Sequence, residues 1–204
     1  MSLTWSESLD KELVGMLLSH GMPQELGQTN FKLQPKRDRL RPVLLYGKDK
    51  NMAPVTFDYN QQVTWLRTLV EKPLSNQLTV ISTLGEDNYA KQFAALMMQI
   101  ILKYSLKHKI RQTSPRWFNL QRDLDITSNE TPAAVFVSNV YPDSTPYRLE
   151  QCRDLLQRFN QIPRYVVTSG VNPYEFAVNK LKSTPFAVFN FASKLERDYN
   201  LDLG

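Results

Sequence analysis

The sequence of 204 residues has very few of the side chains that most often build metal centres and disulfides. It contains one cysteine, Cys152, and two histidines, His20 and His108. A single cysteine cannot form an internal disulfide or a cysteine-rich zinc site. We therefore expect neither a disulfide nor a metal centre, and neither histidine has a serine or cysteine neighbour in a nucleophile pattern.

Long apolar runs are also missing. No run approaches the roughly 20 residues that span a bilayer, and the first 20 residues lack the basic start and continuous apolar stretch of a secretory signal. We expect a cytoplasmic protein with no membrane partner. The length fits one ordinary domain with a small extension, and the composition is that of a globular protein.

Acidic residues are absent from positions 103–122, although the whole chain has a net charge of only +5. Cations beside aromatic rings can hold phosphates and stack on bases. The predicted nucleic-acid-binding residues are Lys103, Lys107, Lys109, Arg111, Arg116 and Trp117. The alternative is that residues 117–120 form a buried strand or turn flanked by solvated charges.

Four short apolar stretches, at 78–84, 133–137, 165–169 and 186–191, predict buried strands. Apolar residues at helical spacing predict helices at 59–72, 89–106, 147–159 and from 173 onward, with Ser144 or Thr145 and Asn172 before the last two. Strands that alternate with helices predict an α/β fold, with a parallel sheet covered by helices on both faces.

Residues 1–55 differ from the remainder in pattern. Positions 3–20 have the spacing of an amphipathic helix, and positions 24–54 are basic, interrupted by prolines and predicted to be a linker or arm with one short strand near Val43. We predict an N-terminal extension at 1–55 and an α/β domain at 56–204. The helix would either pack on that domain or dock a partner protein.

The strand at 78–84 is followed by Gly85, four residues, Ala90, Lys91 and Gln92. A phosphate-binding P-loop has the pattern G-x-x-x-x-G-K-[ST] between a strand and a helix. The first glycine and the lysine match. The second glycine is replaced by Ala90 and the hydroxyl residue by Gln92.

The order of elements resembles the ATPase core of the AAA+ superfamily, and within it the helicase loaders of the DnaC type and the related IstB transposition ATPases. The resemblance covers about residues 55–200 and implies a P-loop NTPase-like fold. In that family a partner-binding segment precedes the core, which would place it at residues 1–55. The family's acidic pair falls on Ser138 and Asn139, and its sensor asparagine falls on Ser169.

These departures remove the groups that would hold Mg²⁺ and orient water, and phosphoryl transfer depends on such positioning and charge stabilisation. The resemblance thus implies a vestigial cofactor site without catalytic residues, formed by Gly85, Lys91, Gln92, Ser138, Asn139 and Ser169. We expect no cofactor. As ordinary alternatives, Lys91 would be a surface lysine at a helix start, and the other polar residues would simply end buried strands.

Three functions are compatible with these patterns. The first is a non-hydrolysing AAA+-like accessory protein of DNA replication that binds a replicative helicase, as loader, recruiter or inhibitor, with single-stranded DNA as a further ligand. The second is a divergent but active ATP-binding protein. The third is a nucleic-acid-binding module without a helicase partner.

Overall fold

The computed structural model describes residues 11–24, 43–44, 55–56, 77–83, 90–91, 94–95, 97–99, 101–102, 114–121 and 131–191. In chain order the elements are α1 (Lys11–Ser19), β1 (Val43–Leu44), β2 (Val55–Thr56), β3 (Leu78–Thr83), β4 (Arg116–Asn119), β5 (Val135–Ser138), α2 (Pro146–Arg158), β6 (Arg164–Ser169), α3 (Pro173–Asn179) and β7 (Ala187–Phe191). Positions 90–91, 94–95, 97–99 and 101–102 are also helical and are called the central helical segment. The predicted helix at 59–72 lies outside the described residues, as does most of the basic arm.

Five of these strands form one sheet in the order β4-β5-β6-β3-β7. Every neighbouring pair is parallel, and β3 lies between β6 and β7 with Val80 opposite both Val166 and Val188. β1 and β2 pair antiparallel as a separate two-stranded sheet, and β1 contacts β7. The prediction of an α/β fold with a parallel sheet is therefore confirmed.

The two faces of the sheet are covered by different helices. One face packs against α2 and α3, and its core is built from residues such as Val80, Val137 and Val166. The other face packs against α1 and the central helical segment, and its core includes Ile81 and Val167. Burial on both faces explains why these strands are continuously apolar in the sequence instead of alternating with polar residues.

Helices α2 and α3 begin at capping residues that the sequence predicts. The Thr145 hydroxyl accepts a hydrogen bond from the Arg148 N–H at 3.3 Å, and the Asn172 side chain accepts from two N–H groups of the first turn of α3. A proline follows each cap, where its missing N–H costs nothing. Of the two predicted caps for α2, Thr145 is the one that the structure uses.

Helix α1 packs on the domain. Leu13, Leu17 and Met22 are buried in the same core as the parallel sheet. At its carboxyl end the His20 carbonyl accepts a hydrogen bond from the Trp117 N–H at 2.8 Å. Since β4 is an edge strand, this contact covers a backbone group that would otherwise be open to another chain.

Three aromatic rings stack across adjacent strands β4, β5 and β6. The ring centroids of Trp117 and Phe136 are 5.5 Å apart, and those of Phe136 and Tyr165 are 4.6 Å apart, with interplanar angles of 8° and 10°. The three residues are opposite one another in the strand register. The stack is therefore a direct product of the pairing order of the strands.

Replacing Gly21 with alanine should strongly destabilise the protein. Gly21 has φ +94°, and an added Cβ would lie 2.1 Å from the Trp117 carbonyl oxygen. We expect Gly21→Ala to lower the free energy of unfolding by about 2–4 kcal/mol, measured by urea denaturation.

Gly15→Ala provides the matched control. Gly15 is exposed within α1, and an added Cβ there would meet nothing within 4 Å. Because alanine favours helix over glycine, this change should be neutral or stabilise by up to about 1 kcal/mol. Equal losses for both variants would contradict the packing of α1 against β4.

Candidate functional site

The carboxyl ends of the parallel strands define the candidate site. From β3 the chain crosses to β4 at one edge of the sheet, and from β6 it crosses past β3 to β7 at the other edge. The two connections therefore run in opposite directions from neighbouring strands. In open α/β sheets ligands bind in the crevice outside the carboxyl ends at such a point.

Lys91, near the start of the central helical segment, reaches the carboxyl ends of the strands. Its Nζ donates a hydrogen bond to Asn139 Oδ1 at 3.1 Å, across 48 positions of sequence. Asn139 directly follows β5 and is buried. The structure therefore brings together two of the residues predicted for the vestigial cofactor site.

Asn139 is held in an unusual backbone conformation and by several partners. Its φ of 61° is in the left-handed region, which asparagine tolerates better than most residues. Tyr141 Oη also donates to Asn139 Oδ1, at 3.1 Å, and Asn139 Nδ2 donates to Asn119 Oδ1. Asn119 Oδ1 accepts a further bond from the Gln121 N–H at 2.9 Å. We call Lys91, Asn119, Asn139 and Tyr141 the amide network.

The orientation of both amides follows from these partners. The Lys91 ammonium can only donate, so the Asn139 atom that faces it must be the oxygen. That oxygen receives two donors, and Asn119 Oδ1 also receives two. Since a carbonyl oxygen has two lone pairs, neither amide has acceptor capacity left for a cation.

The described residues at the end of β5 do not fit a bound Mg²⁺ ion. Magnesium prefers carboxylate and water oxygens in near-octahedral geometry, whereas Ser138 and Asn139 are neutral and already have partners within the protein. Within the ranges that the structure describes, no group of three or more His, Cys, Asp or Glu residues could hold a metal ion.

Ser138 belongs to the core. It is fully buried, and its Oγ accepts a hydrogen bond from Trp117 Nε1 at 2.8 Å. Ser169 ends β6, opposite Thr83, and is partly exposed. The end of β3 is fastened to the loop after β6, because Ser82 Oγ donates to the Val171 carbonyl at 2.9 Å.

The predicted nucleic-acid surface needs a correction at Trp117. This side chain is only 2% exposed and is stacked on Phe136, so its ring cannot stack on bases. Residues 116–119 form a strand, as in the alternative interpretation of this stretch. The Arg116 guanidinium lies 5.0 Å from the Phe118 ring centroid. Gly85, Gln92, Lys103, Lys107, Lys109 and Arg111 lie outside the described residues.

Asn119 and Tyr141 were not among the predicted site residues. Tyr141 lies two residues after Asn139 in the sequence, whereas Asn119 reaches Asn139 only through the pairing of β4 with β5. Burial raises the pKa of Tyr141, the Arg148 charge opposes that shift, and the Asp143 charge adds to it. The phenol is therefore protonated at neutral pH, as its role as donor to Asn139 requires.

The single thiol offers no competing chemistry. Cys152 is buried in α2, and burial raises its pKa to about 12. A thiol is a nucleophile only as the thiolate. Cys152 is therefore a core residue at neutral pH.

No model of a known protein family matches this sequence, and no curated protein matches it either. Among the residues that the structure describes, no helix is long and apolar enough to cross a membrane. The function proposed below therefore depends on the geometry of the strand ends and on the sequence resemblance.

Removing the Ser138 hydroxyl should cost more stability than removing that of Ser169. Ser138→Ala leaves the buried Trp117 indole N–H without its acceptor, and we expect the free energy of unfolding to fall by about 1–3 kcal/mol. Ser169→Ala, at a partly exposed position, should change it by less than about 0.5 kcal/mol. Urea denaturation of both variants checks this, and similar losses would argue against the buried indole bond.

Proposed function

We propose that this chain is a non-hydrolysing AAA+-like accessory protein of DNA replication that binds a replicative helicase. The observation that carries the proposal is the contact between Lys91 Nζ and Asn139 Oδ1 at 3.1 Å. It joins the lysine of the P-loop-like turn to the position where the AAA+ pattern has an acidic residue. Lys91 therefore has a hydrogen-bond acceptor, but that acceptor is a neutral amide and not a carboxylate.

The strand order supports the P-loop NTPase-like part of the proposal. In doubly wound parallel sheets the phosphate-binding turn follows a strand at the point where neighbouring connections diverge. Here β6, the proposed sensor strand, lies between β3, which precedes the glycine turn, and β5, which ends at Ser138. If the strands paired in the order of the sequence, β4 and β5 would lie between β3 and β6, which is not the order observed.

Two features support the proposed absence of nucleotide turnover. The acidic pair is replaced by Ser138 and Asn139, whose side chains are engaged with Trp117 and with the amide network. Ala90, in place of the second loop glycine, is buried in the core. Phosphoryl transfer depends on charge stabilisation and positioning by such groups, and Ser138 and Asn139 supply neither a carboxylate to anchor Mg²⁺ nor a base to orient water.

Without turnover, the proposed role is stoichiometric binding. Because α1 contributes Leu13 and Leu17 to the core, releasing it to dock a partner would uncover apolar surface. The helicase would therefore bind the surface of the folded chain. Single-stranded DNA remains a second proposed ligand, held by the basic residues at 103–116 through phosphate contacts, without stacking by Trp117.

The protein should show no nucleotide-dependent stabilisation. A ligand present at 100 times its Kd would raise the Tm of a chain of this size by roughly 5–10 °C. We expect no shift with millimolar ATP and Mg²⁺ in a thermal unfolding assay and no phosphate release. A shift that Lys91→Ala abolishes would instead identify a divergent but active ATP-binding protein.

The full chain should form a complex with a replicative helicase. We expect the two proteins to co-elute in size-exclusion chromatography at micromolar concentrations, equally with ATP, ADP or no nucleotide. An unrelated helicase of similar net charge is the control for non-specific attraction. Absence of a complex at low salt would contradict the proposal, and salt-sensitive binding to single-stranded DNA alone would favour a nucleic-acid-binding module.

A further inference from the structure

The amide network joins three segments that are far apart in the sequence. Lys91 is 48 positions from Asn139, and Asn139 is 20 positions from Asn119. We propose that the network is a ligand-independent clamp that fastens the central helical segment to the carboxyl ends of β4 and β5. The clamp needs only residues of this chain and does not depend on the helicase partner proposed above.

The packing of the central helical segment shows why such a clamp is needed. Near Lys91 the described buried side chains of this segment are those of Ala90, Ala94, Ala95, Met97 and Met98, and Ile101 and Leu102 follow about one turn later. Small and flexible side chains fill space but specify position poorly. A hydrogen bond with a charged donor is directional and stronger than a neutral one. The Lys91–Asn139 contact therefore fixes where this segment begins relative to β5.

The backbone at Asn139 gives independent support. A left-handed residue other than glycine costs of order 1 kcal/mol and persists only where its surroundings determine it. At Asn139 the surroundings are the other three members of the network, which take both side-chain groups of the amide. The side-chain contacts thus offset the cost of the left-handed backbone, and that backbone places the amide where the contacts can form.

The clamp has a consequence for regulation. In a nucleotide switch, phosphate and Mg²⁺ order the surrounding loops, and their loss releases those loops. Here Lys91 is held by the Asn139 amide, which is part of the chain and does not leave as a product. The clamp would therefore hold Lys91 beside the end of β5 without a nucleotide, and a partner surface formed by these residues would not depend on one.

A double-mutant cycle on the full chain without nucleotide tests the clamp. Asn139→Gly removes the amide while glycine still accepts the φ of 61°. Lys91→Met removes the charged donor and keeps the apolar stem. We expect Lys91→Met to lower the folding equilibrium constant about tenfold in the natural chain, but to have little effect in the Asn139→Gly background.

Lys182→Gly is the matched control for the glycine substitution. Lys182 is exposed and also left-handed, with φ 53°, so this change introduces the same added freedom of the unfolded chain without touching the network. It should leave the folding equilibrium constant within about threefold of the natural chain. Asn139→Gly should lower it at least about tenfold, and should also speed amide hydrogen exchange in the central helical segment and β4.

Two results would overturn the clamp. One is an equal effect of Lys91→Met in both backgrounds, which would mean that Lys91 and Asn139 are not coupled. The other is a loss in Lys182→Gly as large as that in Asn139→Gly. A failure to bind helicase would reject the proposed function and leave the clamp standing, because the cycle is measured on the isolated chain.

Discussion

The stack of Trp117, Phe136 and Tyr165 is the interaction on which the rest of the structure depends. It spans three strands on one face of the sheet, and both ring pairs have the near-parallel geometry and centroid distances of favourable aromatic contacts. Trp117 also binds the end of α1 through its backbone and Ser138 through its indole. One residue thus connects the sheet edge, the N-terminal helix and the end of β5.

This arrangement limits the chemistry that position 138 can perform. A carboxylate there would lie in a fully buried site against an aromatic core, where the cost of removing a charge from water is large unless it is paired. The serine hydroxyl instead accepts the indole N–H and is neutral. Packing around Trp117 therefore favours a residue that completes the core over one that could hold a cation.

The sequence predicts best those features that depend on residues close together in the chain. Apolar runs and caps predicted β3, β5, β6, β7, α2 and α3 to within a few residues, because burial on both faces and hydrogen bonds at helix starts leave direct traces in the order of residues. Strand β4 was harder to predict, since only Trp117 and Phe118 mark it and cations surround them. The amide network was only half predicted. Asn119 meets Asn139 through the pairing of β4 with β5, which is set by contacts far apart in the chain, and the contact of Tyr141 with Asn139 depends on a left-handed turn that the sequence does not mark.

The placement of Lys91 beside the neutral Asn139 amide has a physical explanation. A partly buried ammonium needs an acceptor, since an unpaired charge away from water is costly. An aspartate at position 139 would supply one, but it would also turn a carboxylate oxygen toward Asn119 Oδ1, and two acceptors repel. Glycine would suit the left-handed backbone but accept nothing from Lys91. Asparagine accepts from Lys91, donates to the Asn119 oxygen and tolerates the left-handed backbone, so it meets all three requirements of this position.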